Sequence, residues 1–370
     1  MQELNPVARS EMQVIAALPA HYQRIIPWTT KGSADAADRR TLVSPEAMAV
    51  NVGGRGYLLE TAVELDAMTA ASWDNLVTVD YTVAASRAGK DFYVYACQQF
   101  GTPPRLLLSA NATVPDGYTA DSSRKIGGFH CLCVDAGVIA GHPLSGYLAG
   151  DLLPASIWDL QHRPTSNPEG MVYDPMTDMW VDIYLVSGTG GASGSVYGAT
   201  ISDSRNWMDF VDDLGAIGKR LLTDAEFQTA AAGSNEKTNI AGSADPVTTG
   251  GHVDTAGRRM LSHIGCEDMC GAMWQWLLDQ SYRYDGGSHN HGDPYAPANV
   301  DPAPSWAYYA LPGDKGSLYR QGSNGDVKLR AGGSWSLGSS CGSRSRAALS
   351  YRWNAYSALG ARGCARSRRA

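Results

Sequence analysis

The run from Leu329 to Ala365, LRAGGSWSLGSSCGSRSRAALSYRWNAYSALGARGCA, constrains this chain more than any other feature. Between Ser334 and Leu359 it carries eight Ser, two Trp and two Tyr, with Gly, Arg and Asn, and no Lys, Pro or acidic residue. Such a stretch has too few aliphatic residues to build its own core, so the rest of the chain must hold it up. Its composition is that of a binding surface. Tyr and Trp supply rigid contact area at low entropic cost, and Ser, Gly and Asn supply adaptable hydrogen bonds. A Gly/Ser linker is the alternative, but linkers do not carry two Trp and two Tyr in so short a span.

The remaining residues can supply that support. The chain has 370 residues, 44% hydrophobic and 18% charged, which excludes wholesale disorder and allows two or three domains. With 41 Gly and 9% aromatic residues, turns and strands are favoured over helical bundles. No apolar run reaches the length of a membrane span, and Met1-Gln2-Glu3-Leu4-Asn5 is not a secretion signal, so the expectation is synthesis in the cytosol. Net charge is −7, unevenly spread. After Asp326 there are nine Lys or Arg and no acid, so 21 bases face 37 acids before it, a balance of −16. A basic end on an acidic body steers toward anionic partners. Arg344, Arg346 and Arg362 are equally readable as structural, and Arg366, Arg368 and Arg369 as a solvated terminus. The acidic remainder argues against a nucleic-acid partner. Seven scattered Cys form no disulfide framework, and 131/133 and 266/270 have poor spacing for zinc.

Three regions follow in order. Residues 1–40 read as a helix with Val7, Met12, Ile15 and Leu18 on one face, then a polar linker. Residues 41–148 read as a β-sandwich-like domain: YLLETAVEL, LVTVDYTVAA, DFYVYACQQ and RLLLSANAT are strand-like, and RKIGGFHCLCV is the last strand, its Gly127-Gly128 marking a bulge or a close backbone approach. Residues 149–370 change character. MWVDIYLVSG reads as a strand. Trp207, Phe210, Val211 and Leu214 sit at helical spacing, and Thr223 with Glu226 makes a capping box for a second helix ending near Gly233. GCEDMCGAMWQWLLD reads as a Trp-rich strand or turn. The fold class expected is α+β, with two helices packed on an antiparallel sheet in the C-terminal part.

The ordered series GKRLLTDAEFQTAA, GCEDMCGAMWQW, LRAGGSW and GARGCA resembles the C-type lectin fold of the formylglycine-generating-enzyme type. RKIGGFH, SIWDLQHRP and WVDIYLV lie outside that common core. With GSRSRAAL and GARG they resemble the variable proteins of diversity-generating retroelements, phage tropism determinants among them, over residues 45–370. The resemblance implies a non-enzymatic, receptor-binding adhesin at a phage tail tip or a bacterial cell surface. It would be a homotrimer recognising a bacterial surface protein or glycan. It places a diversified ligand face within residues 330–364, at Ser334, Ser336, Leu337, Gly338, Ser340, Leu349, Tyr351, Arg352, Asn354, Tyr356, Ser357 and Leu359. Tyr351, Arg352, Trp353, Asn354 and Tyr356 form the anchor cluster, since Tyr, Trp and Arg dominate binding hot spots. Gly332, Gly333, Trp274, Trp276, Trp335 and Arg362 belong to the frame.

The alternative is a formylglycine-generating-type oxidase, whose resemblance implies two cysteines in a C-x-x-x-x-C-A-A pattern. Here the segment is CGSRSRAA, with Cys341 at the first position and Arg346 at the second. Thiol redox or copper-thiolate chemistry needs both sulfurs. Calcium-dependent sugar binding resembles a Trp-Asn-Asp strand, but Trp353-Asn354-Ala355 lacks the carboxylate. Asp174, Asp178, Glu267 and Asp268 are available for a structural Ca²⁺, though nothing singles them out. No other cofactor is expected, and His289, His291 and Asp293 read as a solvent-exposed loop rather than a metal site.

Overall fold

The computed structural model describes residues 22–99, 102–283, 305–307, 318–320 and 325–368. The proposed helix over Val7–Leu18 and the His289–Asp293 loop lie outside them. The chain forms two compact units, one of residues 1–136, 146–170 and 367–370, the other of 137–145 and 171–366.

The first unit is β-rich. Its strands are β1 (Tyr22–Arg24), β2 (Thr29–Thr30), β3 (Thr41–Val43), β4 (Met48–Val52), β5 (Arg55–Leu59) and β6 (Glu64–Asp66), then, after a four-residue helix α1 (Ala84–Arg87), β7 (Asp91–Gln99), β8 (Thr102–Ser109), β9 (Ser123–His130) and β10 (Trp158–Asp159). They make three antiparallel sheets, in the orders β1-β4-β5, β2-β3-β6 and β10-β9-β7-β8. Inward residues of all three, among them Leu42, Val50, Leu65, Phe92, Leu108 and Phe129, share one apolar core.

Several expectations need correction here. The linker placed over Lys31–Arg40 is structured: β1 and β2 precede it and a 3₁₀ turn covers Asp38–Arg40. YLLETAVEL breaks after Leu59, and its halves enter different sheets. LVTVDYTVAA is no strand. It runs as turns into α1, because Arg87 is drawn inside to donate to the carbonyls of Tyr81 (2.6 Å), Thr82 (2.9 Å) and Gly150 (3.1 Å). The last strand is β10, so this unit runs past residue 148 to 170. Gly127 and Gly128 meet both readings offered for them. The β7–β9 register shifts beside them, and a Cβ on Gly128 would lie 2.5 Å from the Phe92 oxygen and 2.8 Å from the Trp158 ring.

The second unit contains β11 (Met171–Asp174), β12 (Met179–Asp182), α2 (Trp207–Ala216), β13 (Arg220–Leu221), α3 (Asp224–Ala230), β14 (Trp274–Arg283), β15 (Ser305–Ala307), β16 (Leu318–Arg320), β17 (Gly325–Gly332), β18 (Gly342–Ser350), β19 (Leu359–Gly360) and β20 (Gly363–Arg366). One sheet has the order β11-β12-β20-β13, the other β15-β16-β18-β17-β14-β19. The fold is mostly β with few helices, so the α+β description overstates the helical share. Both expected helices form. Thr223 Oγ1 and Glu226 cap α3 reciprocally, and Asn206 with Asp209 does the same for α2. Phe210 and Leu214 of α2 close over Trp276, Ala347 and Leu359.

Candidate ligand-binding face

Five strands of the six-stranded sheet, β14 to β18, precede the exposed loop. β17 pairs with β14 on one side and β18 on the other, with bulges around Arg330 and Gly332. Gly332 has φ +90°, and a Cβ there would come 2.4 Å from the Met269 carbonyl oxygen. At Gly333, φ +85°, it would come 2.7 Å from Cys341 Sγ. Only glycine fits either position without rearrangement. Arg330 is buried with its guanidinium 5.3 Å from the Trp274 ring and 5.9 Å from the Trp276 ring.

Arg362 ties this frame together. Its buried guanidinium donates to the carbonyls of Asp182 (2.7 Å), Ile183 (2.5 Å) and Glu267, and to Gln275 Oε1 (3.1 Å). Trp276 is fully buried, Trp274 nearly so, and half-buried Trp335 packs on Leu185, Ile201 and Met273. Arg346 is also structural: it donates to Asp224 and to the carbonyls of Ser343 (3.0 Å) and Ser345 (2.8 Å), and lies over the Phe227 ring. Arg344 is exposed, which corrects its structural reading.

Between β18 and β19 the chain makes an outward loop, residues 351–358. Asn354 Oδ1 accepts from the Tyr351 amide at 2.7 Å, and the Asn354 amide donates to the Tyr351 carbonyl at 3.0 Å. The rest of the loop is pinned through main-chain carbonyls. The Arg352 carbonyl accepts from the Trp207 amide (2.9 Å), that of Tyr356 from Ser204 (3.1 Å), and that of Ala358 from Trp274 (3.0 Å). Those three bonds do not depend on which side chains the loop carries. Trp353 is 61% exposed and Tyr356 47%. The Trp353 indole stacks on the Tyr351 ring, centroids 4.9 Å apart and planes 9° from parallel. Covering that indole would contribute about 3 kcal/mol of apolar burial.

The candidate residues divide. Ser336, Trp353, Tyr356 and Ser357 are exposed, and Gly338, Tyr351, Arg352 and Asn354 half-buried. Leu337 and Leu349 are half-buried but pack on the core cluster of Trp274 and Leu359. Ser334, Ser340 and Leu359 are buried and are corrected out of the face. Leu359 pairs in parallel with Trp274 and is wholly enclosed. Ser334 and Ser340 close the turn over Cys341, where their carbonyls accept from Cys341 Sγ (3.4 Å) and Ser345 Oγ. The partners that hold the loop, Ser204 and Trp207, were missed. They lie some 150 residues upstream, and no local signal marks them.

Burial pushes Cys341 up to about 12, and also raises Cys97, Cys131, Cys266, Cys270 and Cys364. The carboxylates considered for Ca²⁺ are already engaged. Asp174 accepts from Thr177 and Thr229, Asp178 from Tyr173, Glu267 from Arg259, and Asp268 from His252 and the Gly250 amide. Among the described residues no three potential ligands cluster, and no helix is long and apolar enough to cross a membrane.

Residues 34–159 match the family model described as Mtd second domain. The chain is 27% identical over 349 residues to the tail fiber receptor-binding protein of Bordetella phage BPP-1, covering 86% of this chain and 83% of that protein. Among solved structures it resembles the Major Tropism Determinant U1 variant (TM-score 0.65, 25% identity, 93% of this chain and 84% of that one) and the M1 variant (0.66, 25%, 94% and 84%). None of these is a formylglycine-generating enzyme. The chain is thus tropism-determinant-like over most of its length.

Proposed function

We propose, with a tropism-determinant-like chain as premise, that this protein is a non-enzymatic receptor-binding adhesin of a phage tail tip. The 351–357 loop, together with Ser336 and Gly338, contacts a bacterial surface ligand, a protein or a glycan. The observation that carries this reading is the loop's anchoring: main-chain carbonyls at 352, 356 and 358 tie it to the frame and Asn354 closes its tip, while Trp353, Tyr356 and Ser357 face solvent. A surface built so can change its side chains without losing its frame, which suits a retroelement-diversified site. Trimer formation, expected from the same resemblance, would multiply a weak single-site affinity through avidity. The oxidase alternative has no support. Arg346 fills the place of the second thiol, and Cys341 is enclosed against Gly333.

The test is a combined Tyr351→Ala, Arg352→Ala and Tyr356→Ala replacement. Phage or purified protein carrying it should lose adsorption to the host while circular dichroism and melting stay unchanged. Undiminished adsorption by a folded variant rejects the face. For diversification, a near-copy of the DNA encoding residues 330–365, differing mainly at adenines and beside a reverse-transcriptase gene, is the expected genomic signature.

A further inference from the structure

The first unit holds a cationic cluster that the ligand face does not use. After β10 pairs with β9 through Trp158↔Gly128 and Asp159↔Gly127, the chain turns at 159–162, where the Asp159 amide donates to the His162 carbonyl at 2.9 Å. The turn brings Arg163 into the electrostatic neighbourhood of Lys125, two residues before the paired glycines. A segment from far downstream joins them. Pro164 bridges Ser367, and the Arg368 amide donates to the Arg163 carbonyl at 2.8 Å. Main-chain hydrogen bonds therefore hold Arg163 and Arg368 opposite one another, with Lys125 on the strand that pairs with β10.

Their partners are unequal. Lys125 Nζ donates to the Ala112 carbonyl at 2.7 Å and lies 4.7 Å from the Tyr93 ring centroid. Glu169, which accepts from the Tyr93 hydroxyl at 2.6 Å, is the carboxylate that acts on Lys125. Arg163 has no such partner. Its Nε is buried without a hydrogen bond, and no carboxylate pairs with its guanidinium among the described residues. Burial, then the charge of Arg368, disfavours its protonated form. Like charges held together by backbone geometry are relieved by a bound anion. Guanidinium forks match the oxygens of a phosphate group in pairs.

We propose that Arg163 and Arg368, with Lys125 beside them, bind a phosphate-type oxyanion. Two sources share that chemistry: the phosphorylated head of a bacterial surface glycolipid, and free inorganic phosphate. The site is independent of residues 336–357 and stands or falls without them.

Thermal melts of the full chain in sodium phosphate and in sodium chloride of equal ionic strength test it. Phosphate at about ten times its dissociation constant should raise the midpoint by about 1–2 °C. Arg163→Gln with Arg368→Gln should abolish that rise while leaving the midpoint in chloride no lower than wild type, because a repulsion has been removed. If the double variant does not fold, Arg368→Gln alone should shrink the rise. Phosphatidylcholine vesicles doped with lipid A then separate the sources. Binding that dephosphorylated lipid A does not sustain assigns the glycolipid. Stabilisation by inorganic phosphate without vesicle binding assigns the free anion. No phosphate-dependent rise in wild type, or an equal rise in the arginine variants, overturns the proposal.

Discussion

Arg362 and Trp353 sit nine residues apart and do opposite things. Arg362 satisfies three buried carbonyls and a glutamine side chain. Arg362→Ala should therefore lower unfolding free energy by about 3 kcal/mol or more, seen as a fall in urea midpoint, because each orphaned buried acceptor costs about 1–3 kcal/mol. Trp353→Ser should change stability by less than about 0.5 kcal/mol, as surface substitutions do, yet weaken host binding about tenfold or more. A large loss of stability in Trp353→Ser would show the indole to be structural. The local sequence separates these roles only in part. Arg362 was open between a structural and a steering role on its residues alone, and only the resemblance carried by the GARG segment placed it in the frame. Leu359 was not legible as buried. It follows the exposed Tyr356 and Ser357 by two or three residues and is enclosed where β19 pairs with β14.

At the scale of elements, capping was the most readable signal. The Thr223–Glu226 box lies in consecutive residues and is the box that forms. Thr223→Ala should cost about 1 kcal/mol by thermal melting. Glu226 also holds Arg220 at 2.6 and 2.8 Å, so Glu226→Ala should cost more than Thr223→Ala. Strand assignment was less reliable. DFYVYACQQ becomes β7 over its whole length, whereas LVTVDYTVAA, with an equally β-rich composition, becomes turns and α1. β-propensity reports fit to a half-buried pleated surface, and among the described residues no strand pairs with residues 76–85.

For the molecule as a whole, pH exposes a buried group that composition does not reveal. His142 is buried beside His263, with Nε2 facing the Leu261 carbonyl at 3.2 Å and Nδ1 accepting from the Leu144 amide at 3.1 Å. Burial first, and the neighbouring His263 second, push it down to about 4. The unfolded chain takes up that proton near pH 6.5, before the folded one does. Its contribution is therefore complete above pH 6.5 and is lost as pH falls toward 4, by roughly 3 kcal/mol. His142→Gln should flatten the stability profile in that window relative to wild type. Parallel profiles for the two proteins would show that His142 does not titrate there.

The amino-acid sequence alone pointed to the kind of surface proposed here for this chain and to the helix caps of the frame beneath it. Small residues, aromatics and Arg without acids point to adaptable contact, and the capping boxes act through neighbours three residues away, whereas the paired glycines and tryptophans meet partners that only the fold supplies. Only the tertiary structure decided which of those side chains meet solvent, and it did so through partners 85 to 180 residues distant: Trp207 and Ser204 under the loop, Trp274 beside Leu359, Asp182 and Ile183 around Arg362. Facing in or out is set by which strand lies alongside, and that pairing depends on the whole chain closing around its cores.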